Sequence, residues 1–77
     1  MAKQAGVGNA VYKVVEVIGT STQSWEDAAR NAVETAARTV RDLRVAEATR
    51  FDVTIDDGKV ANYRVRLDIS FKYETGD

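Results

Sequence analysis

The side chains that could carry chemistry in this sequence are carboxylates, amines, guanidinium groups and phenols. Its 77 residues include 12 Asp and Glu and 11 Lys and Arg, but no histidine and no cysteine. The imidazole, which is the commonest general base and metal ligand, is therefore missing, and so is any thiolate nucleophile or disulfide. No pattern places a nucleophile beside a base, so the sequence predicts a protein that is not an enzyme.

The acidic residues form no linear metal-binding motif, because their spacing differs from that of an EF-hand loop. Asp56-Asp57-Gly58 is typical of a turn. Glu47 and Asp68 are the candidate metal ligands. A symmetric assembly could bring copies of one carboxylate together at a threefold axis, where a hard cation such as calcium would relieve their repulsion.

Arg64 and Arg66 are the candidate residues for binding an anionic ligand. They alternate along a predicted strand, so both side chains are expected on one face. A guanidinium group offers five donors in a planar fork that suits phosphate or carboxylate, although arginines on an exposed strand are often only solvated or paired. The formal net charge of −1 creates no strong field for nucleic acid or membrane lipid. The predicted partners are therefore other copies of the chain and a small molecule or ion.

An amphipathic helix is predicted at 25–40, ahead of the strands that carry these candidate residues. Ser24, followed three positions later by Asp27, resembles a capping box that starts the helix. Apolar residues recur at helical spacing along one face: Trp25, Ala28, Ala29, Ala32, Val33, Ala36, Ala37 and Val40. Because most of them are alanine, the helix is expected to lie close against a sheet. Trp25 is interpreted as core or subunit packing.

Three strands are predicted, at 10–20, 43–55 and 60–73. The first is apolar on both alternate faces and is expected to be covered on both sides. The second alternates with Val45 and Phe51 on the same side, and the third alternates as a long half-buried strand. Asp57-Gly58 predicts a two-residue type I′ turn between them. The order βαββ predicts an α+β fold, in which one helix packs on a three-stranded antiparallel sheet.

The domain organisation is predicted to be a flexible arm at 1–9 followed by a single domain at 10–77. At about 3.4 Å per residue, the last strand is longer than a helix rising about 1.5 Å per residue can cover. Other subunits are therefore expected to cover part of the sheet. No run of about 18 apolar residues and no cleavable leader is present, which predicts a cytoplasmic protein.

Several short motifs, in this order along the chain, resemble the dodecin family. They are Val11-Tyr12-Lys13-Val14, Gly19-Thr20-Ser21, Ser24-Trp25-Glu26, Ala28-Ala29, Asn31-Ala32-Val33, Leu43-Arg44, Asp57-Gly58-Lys59 and the strand from Tyr63 to Phe71. Dodecins are small βαββ proteins that assemble as hollow dodecamers, and most bind flavins such as FMN or riboflavin between subunits. The resemblance implies a homododecamer that binds and stores a small ligand.

Two positions differ from the flavin-binding dodecins. Val45 stands where those proteins carry a tryptophan that stacks on the flavin ring, and Arg64 stands where a glutamine bonds the ring edge. Since an aromatic stack contributes about 0.5–1.5 kcal/mol beyond area burial, the resemblance predicts weakened or lost flavin binding. The candidate residues of the ligand site are therefore Val45 and Arg64, at the positions equivalent to the flavin contacts, together with Arg66.

The sequence is compatible with several alternatives for the ligand. The chain is most similar to the calcium dodecin subgroup, which keeps the dodecamer and lacks the stacking indole, so calcium is one alternative. A coenzyme A-type nucleotide, a flavin in an altered pocket, and a structural shell with vestigial pockets are the others.

Overall fold

The computed structural model describes residues 10–73. Its elements follow the order βαββ: β1 (Tyr12–Ser21), α1 (Trp25–Ala36), β2 (Leu43–Asp56) and β3 (Lys59–Lys72). The arm predicted at 1–9 lies outside the described residues. Within 10–73, the single helix is too short and too polar to cross a membrane.

The three strands form an antiparallel sheet with β3 in the centre, in the order β1-β3-β2. Val65, Leu67 and Ile69 of β3 point towards α1 and are at most 2% exposed, and they pack against Ala28 and Ala32. The bulk of this core comes from the sheet, because the helix contributes mainly alanine. The predicted α+β fold is confirmed.

The helix begins as predicted, with Ser24 as its N-cap. The Ser24 hydroxyl accepts a hydrogen bond from the Asp27 amide at 3.0 Å. The Asp27 carboxylate accepts one from the Ser21 hydroxyl at 2.7 Å, and this bond ties the first turn to the end of β1. The strand-to-helix junction is therefore held by side chains that are local in sequence.

The prediction that the helix continues to Val40 is wrong, since α1 ends at Ala36. The amides of Arg38 and Thr39 bond to carbonyls three residues earlier, both at 3.1 Å, which tightens the backbone beyond an α-helix. Asp42 has a φ of 61° and directs the chain into β2. Thr39 and Val40 are β-branched and stabilise a helix only weakly, so they do not oppose this early end.

The sheet reaches well beyond the helix that covers it. The 12 residues of α1 span about 18 Å, whereas the 14 residues of β3 span about 48 Å. Asp57 and Gly58 both have positive φ, 53° and 75°, which confirms the type I′ turn at the tip of the β2–β3 hairpin.

Within the subunit, β1 is covered only on the side that faces α1. On the opposite side Val14 is 60% exposed. The prediction that β1 is covered on both sides is therefore wrong for the single subunit.

Candidate functional site

The sheet surface opposite α1 carries most of the predicted site residues. We call it the open face and define it by Arg64, Arg66, Asp68 and Ser70 of β3 together with the residues opposite them on β1 and β2. Each β3 residue and its two partners make one row across the three strands. Successive rows on this face lie about 6.8 Å apart, because every second residue of a strand faces the same side.

The row at Arg64 contains a closed ion pair. Arg64 Nε donates to Asp52 Oδ1 at 2.7 Å and Arg64 Nη2 donates to Asp52 Oδ2 at 2.9 Å, a bidentate geometry. These hydrogen bonds lower the pKa of the Asp52 carboxyl below its ordinary value. Partial desolvation acts to raise this pKa, whereas the positive charges of Arg64, Arg50 and Arg66 lower it further. The pair likewise raises the pKa of Arg64. Arg64 therefore already holds an anion, which is Asp52.

The backbone that carries Asp52 is fixed from the helix side. Trp25 Nε1 donates to the Asp52 carbonyl at 3.0 Å. Its ring packs edge-on against Phe51 at 6.0 Å and Tyr63 at 5.3 Å between centroids. These contacts agree with the interpretation of Trp25 as a packing residue.

The next row contains Ile18, Arg66 and Arg50. Arg66 Nη1 lies 3.3 Å from Glu16 Oε2, whereas Arg66 Nε is buried and has no hydrogen-bond partner among residues 10–73. Arg50 lies directly opposite Arg66 and was not among the residues predicted for the site. The sequence feature that could have identified Arg50 is that it shares the even-numbered side of the second strand with Asp52.

The third row is acidic throughout: Glu16, Asp68 and Glu47 lie opposite one another. The structure therefore brings Glu47 and Asp68 together as strand neighbours. Within 10–73 of one subunit, however, no three acidic side chains converge closely enough to hold a metal ion. Directly opposed like charges destabilise a sheet unless something neutralises them.

Val45 lies in the fourth row, opposite Ser70, and is 62% exposed. The expectation that Val45 and Phe51 share a side of the strand is wrong, because Phe51 lies opposite Val65 on the α1 side. The register shift between Ala48 and Arg50 changes which face the odd-numbered residues occupy. Val45 and Arg64 stand three rows apart, about 20 Å, so one subunit does not bring them to the same small ligand.

Of two grooves in the subunit, one shares only the β1 residues Ile18 and Thr20 with these rows, and the other shares none of their residues. One of about 380 Å³ runs between α1 and β1, where Ile18, Gly19, Asn31, Thr35 and other residues line it. The other, of about 490 Å³, is lined by residues 39–42 and 71–73. Neither groove is lined by Val45, Arg64, Arg66, Glu47 or Asp68. These two grooves are therefore not the predicted ligand site.

Comparison with known proteins identifies the relatives of this chain. The family model described as Dodecin matches residues 11–74. The calcium dodecin of Mycobacterium tuberculosis is 47% identical over 62 residues, which cover 80% of this chain and 87% of that protein. The dodecin of Thermus thermophilus is 38% identical over 64 residues, or 83% of this chain and 93% of the relative.

Solved structures show the same similarity in three dimensions. The Streptomyces coelicolor dodecin superposes with a TM-score of 0.84 at 41% identity, covering 88% of this chain and 97% of its own. The M. tuberculosis calcium dodecin, described as calcium chelating with a novel calcium-binding site, has a TM-score of 0.75 at 46% identity over 87% of this chain and 96% of its own. With its βαββ topology and nearly full-length matches, this chain belongs to the dodecin family.

Proposed function

We propose that this chain binds and stores a small ligand as a homododecamer and catalyses no reaction. Members of the dodecin family are binding and storage proteins and not enzymes. The subunit leaves large apolar side chains uncovered on the open face, including Val14 at 60%, Ile18 at 48% and Val45 at 62% exposure. Exposed apolar surface of this kind marks interaction sites, and further copies of the chain would cover it.

We further propose that flavin binding is weak or lost. The observation that carries this proposal is the closed pair of Arg64 and Asp52, which engages the Arg64 fork in two hydrogen bonds within the subunit. At the position where the family resemblance implies a stacking indole, Val45 offers an aliphatic side chain instead. A flavin would then lose both the aromatic platform and the amide contact at its ring edge.

The experiment is to restore both contacts with the double variant Val45→Trp and Arg64→Gln. Riboflavin titration, followed by quenching of its fluorescence, should show tighter binding to the double variant than to the wild type. Val60→Trp is the matched control, because Val60 is 52% exposed on the hairpin and adds an indole away from the open-face rows. Wild-type binding as tight as that of the double variant would refute the proposal.

Calcium is the second candidate ligand, because the acidic row gives it a specific basis. Glu16, Asp68 and Glu47 stand in register, and only Glu16 forms an ion pair within residues 10–73. The relative from M. tuberculosis is named calcium dodecin. Copies of Glu47 or Asp68 from several subunits would complete the oxygen ligands that one subunit does not supply.

Thermal unfolding of the assembled protein separates the calcium proposal from a structural shell. Calcium should raise the melting temperature, because a ligand that binds only the folded state stabilises it, and magnesium should have a smaller effect. Glu47→Gln should remove the calcium response, while Glu34→Gln, an exposed position on α1, should retain it. If calcium, riboflavin and coenzyme A all leave the melting temperature unchanged, the structural shell is the better explanation.

A further inference from the structure

A β-bulge adjoins two arginines that lie side by side on the open face. The register shift between Ala48 and Arg50 makes Thr49 the extra residue, and the Thr49 hydroxyl donates to the Arg66 carbonyl at 3.3 Å. Arg50, the residue after the bulge, lies directly opposite Arg66. Bulges commonly re-aim a side chain at a functional position, and here the re-aimed residue is a second cation beside the first.

The two arginines are only partly paired within the subunit. Arg64 donates two hydrogen bonds to Asp52, and Arg66 forms one ion pair, with Glu16 at 3.3 Å. Arg50 forms no ion pair with any residue in the described range 10–73. Like charges directly opposite one another in a sheet are destabilising, so an anion between the two arginines would stabilise the row.

One buried donor is also left without an acceptor. Arg66 Nε is buried and unpaired among residues 10–73, even though its side chain as a whole is 36% exposed. Buried donors are nearly always hydrogen-bonded, because an unpaired one has lost water without gaining a partner. The third member of the row, Ile18, is apolar and would limit the water that competes for this donor.

We propose that Arg50 and Arg66 form a receptor for an oxyanion, a phosphate or carboxylate group bound between the two guanidinium groups. Planar guanidinium forks match such groups, and Arg50 and Arg66 occupy directly opposed positions on neighbouring strands. The oxyanion has two candidate sources, a phosphorylated small molecule or an acidic side chain of a neighbouring copy. The receptor deepens the proposed ligand-binding function by assigning a chemical class to the ligand group.

The test uses inorganic pyrophosphate as the probe, with sodium chloride at matched ionic strength. Pyrophosphate should raise the melting temperature of the assembled wild type beyond the effect of the salt. Arg50→Gln should weaken the binding by about tenfold or more, the loss of one charge-assisted hydrogen bond. Arg38→Gln is the matched control, because Arg38 is exposed and follows α1 away from the open face.

The remaining outcomes identify the source of the oxyanion or overturn the receptor. If pyrophosphate has no effect but Arg50→Gln lowers the assembly mass in light scattering, the oxyanion is a carboxylate of a neighbouring copy. Equal pyrophosphate responses in Arg50→Gln and Arg38→Gln would overturn the receptor. The receptor would also be overturned if pyrophosphate had no effect on the melting temperature and Arg50→Gln left the assembly mass unchanged. Riboflavin and calcium titrations on the same samples report on the proposed function separately.

Discussion

Gly19 on β1 is the position where the smallest substitution should have the largest structural effect. A Cβ added there would lie 2.1 Å from the carbonyl oxygen of Ala28 and 2.8 Å from the Cβ of Ala32. Both obstructing atoms belong to α1, and the nearer one is backbone. Gly19→Ala therefore cannot be accommodated by rotating a side chain, and the helix has to move away from the sheet.

The distance by which the helix must move determines how much stability Gly19→Ala costs. Reaching even the lower limit of about 3.0 Å for a Cβ contact with the Ala28 oxygen needs a shift of about 1 Å. A gap of 0.5–1 Å loses roughly a quarter to a half of the dispersion energy across a contact. The contact that would open here lies between the helix residues Ala28 and Ala32 and the β3 residues Val65, Leu67 and Ile69. Overpacking costs about 1–3 kcal/mol, and we expect about 3 kcal/mol because backbone must yield. The whole chain has a stability of roughly 4–12 kcal/mol at this length.

Urea denaturation followed by Trp25 fluorescence at a fixed protein concentration measures this loss, and light scattering reports the assembly mass. Gly58→Ala is the control. A Cβ at Gly58 meets nothing within 4 Å, but its φ of 75° makes the substitution cost about 1–2 kcal/mol through the backbone alone. If Gly19→Ala destabilises the protein no more than Gly58→Ala, the close helix-to-sheet approach described here is wrong.

Three further substitutions test the core and the ion pair. Ala32→Glu should abolish cooperative unfolding and assembly, because it places an unpaired charge at a position only 8% exposed, and a normal circular dichroism melt would contradict the helix orientation. Ile69→Ala should cost about 2–5 kcal/mol, measured from the urea midpoint, whereas a loss below about 1 kcal/mol would mean that Ile69 is not in the core. Asp52→Asn should destabilise the protein at neutral pH. Since the pKa of Asp52 is lowered in the folded state, the stability it provides is complete above the ordinary pKa of the carboxyl and is lost as the pH falls below it. The difference from the wild type should therefore shrink below about pH 4, and a difference that is constant down to pH 2 would rule out the pair as its cause.

The parts of the fold that local interactions determine could be predicted from the sequence. Ser24 starts the helix through a hydrogen bond three residues away, and Asp57-Gly58 forms its turn because both residues tolerate positive φ. The alternation of β3 identified which of its residues face the core. The end of the helix was not predictable in this way, because the apolar spacing continues to Val40 while the chain turns at Asp42 to reach β2.

The composition of the candidate site depends on the pairing of strands, which the sequence alone does not specify. Counting outward from the Asp57-Gly58 turn places Asp52 opposite Tyr63, but the register shift between Thr54 and Ile55 moves it opposite Arg64. The same register sets Arg50 against Arg66, and the second shift, at Thr49, sets Glu47 against Asp68 and turns Val45 to the open face. A shift of one residue exchanges the two faces of a strand and changes every neighbour beyond it.

Residue types and local periodicity thus determined the order of elements and the residues capable of binding anions or cations, and the resemblance of the short motifs indicated the family. Only the tertiary structure decided that Arg64 pairs with Asp52, that Arg50 lies opposite Arg66, and that Glu47 lies opposite Asp68. The physical reason is that these neighbours are 12 to 21 residues apart in the sequence, and two register shifts between the turn and Glu47 decide which of them meet.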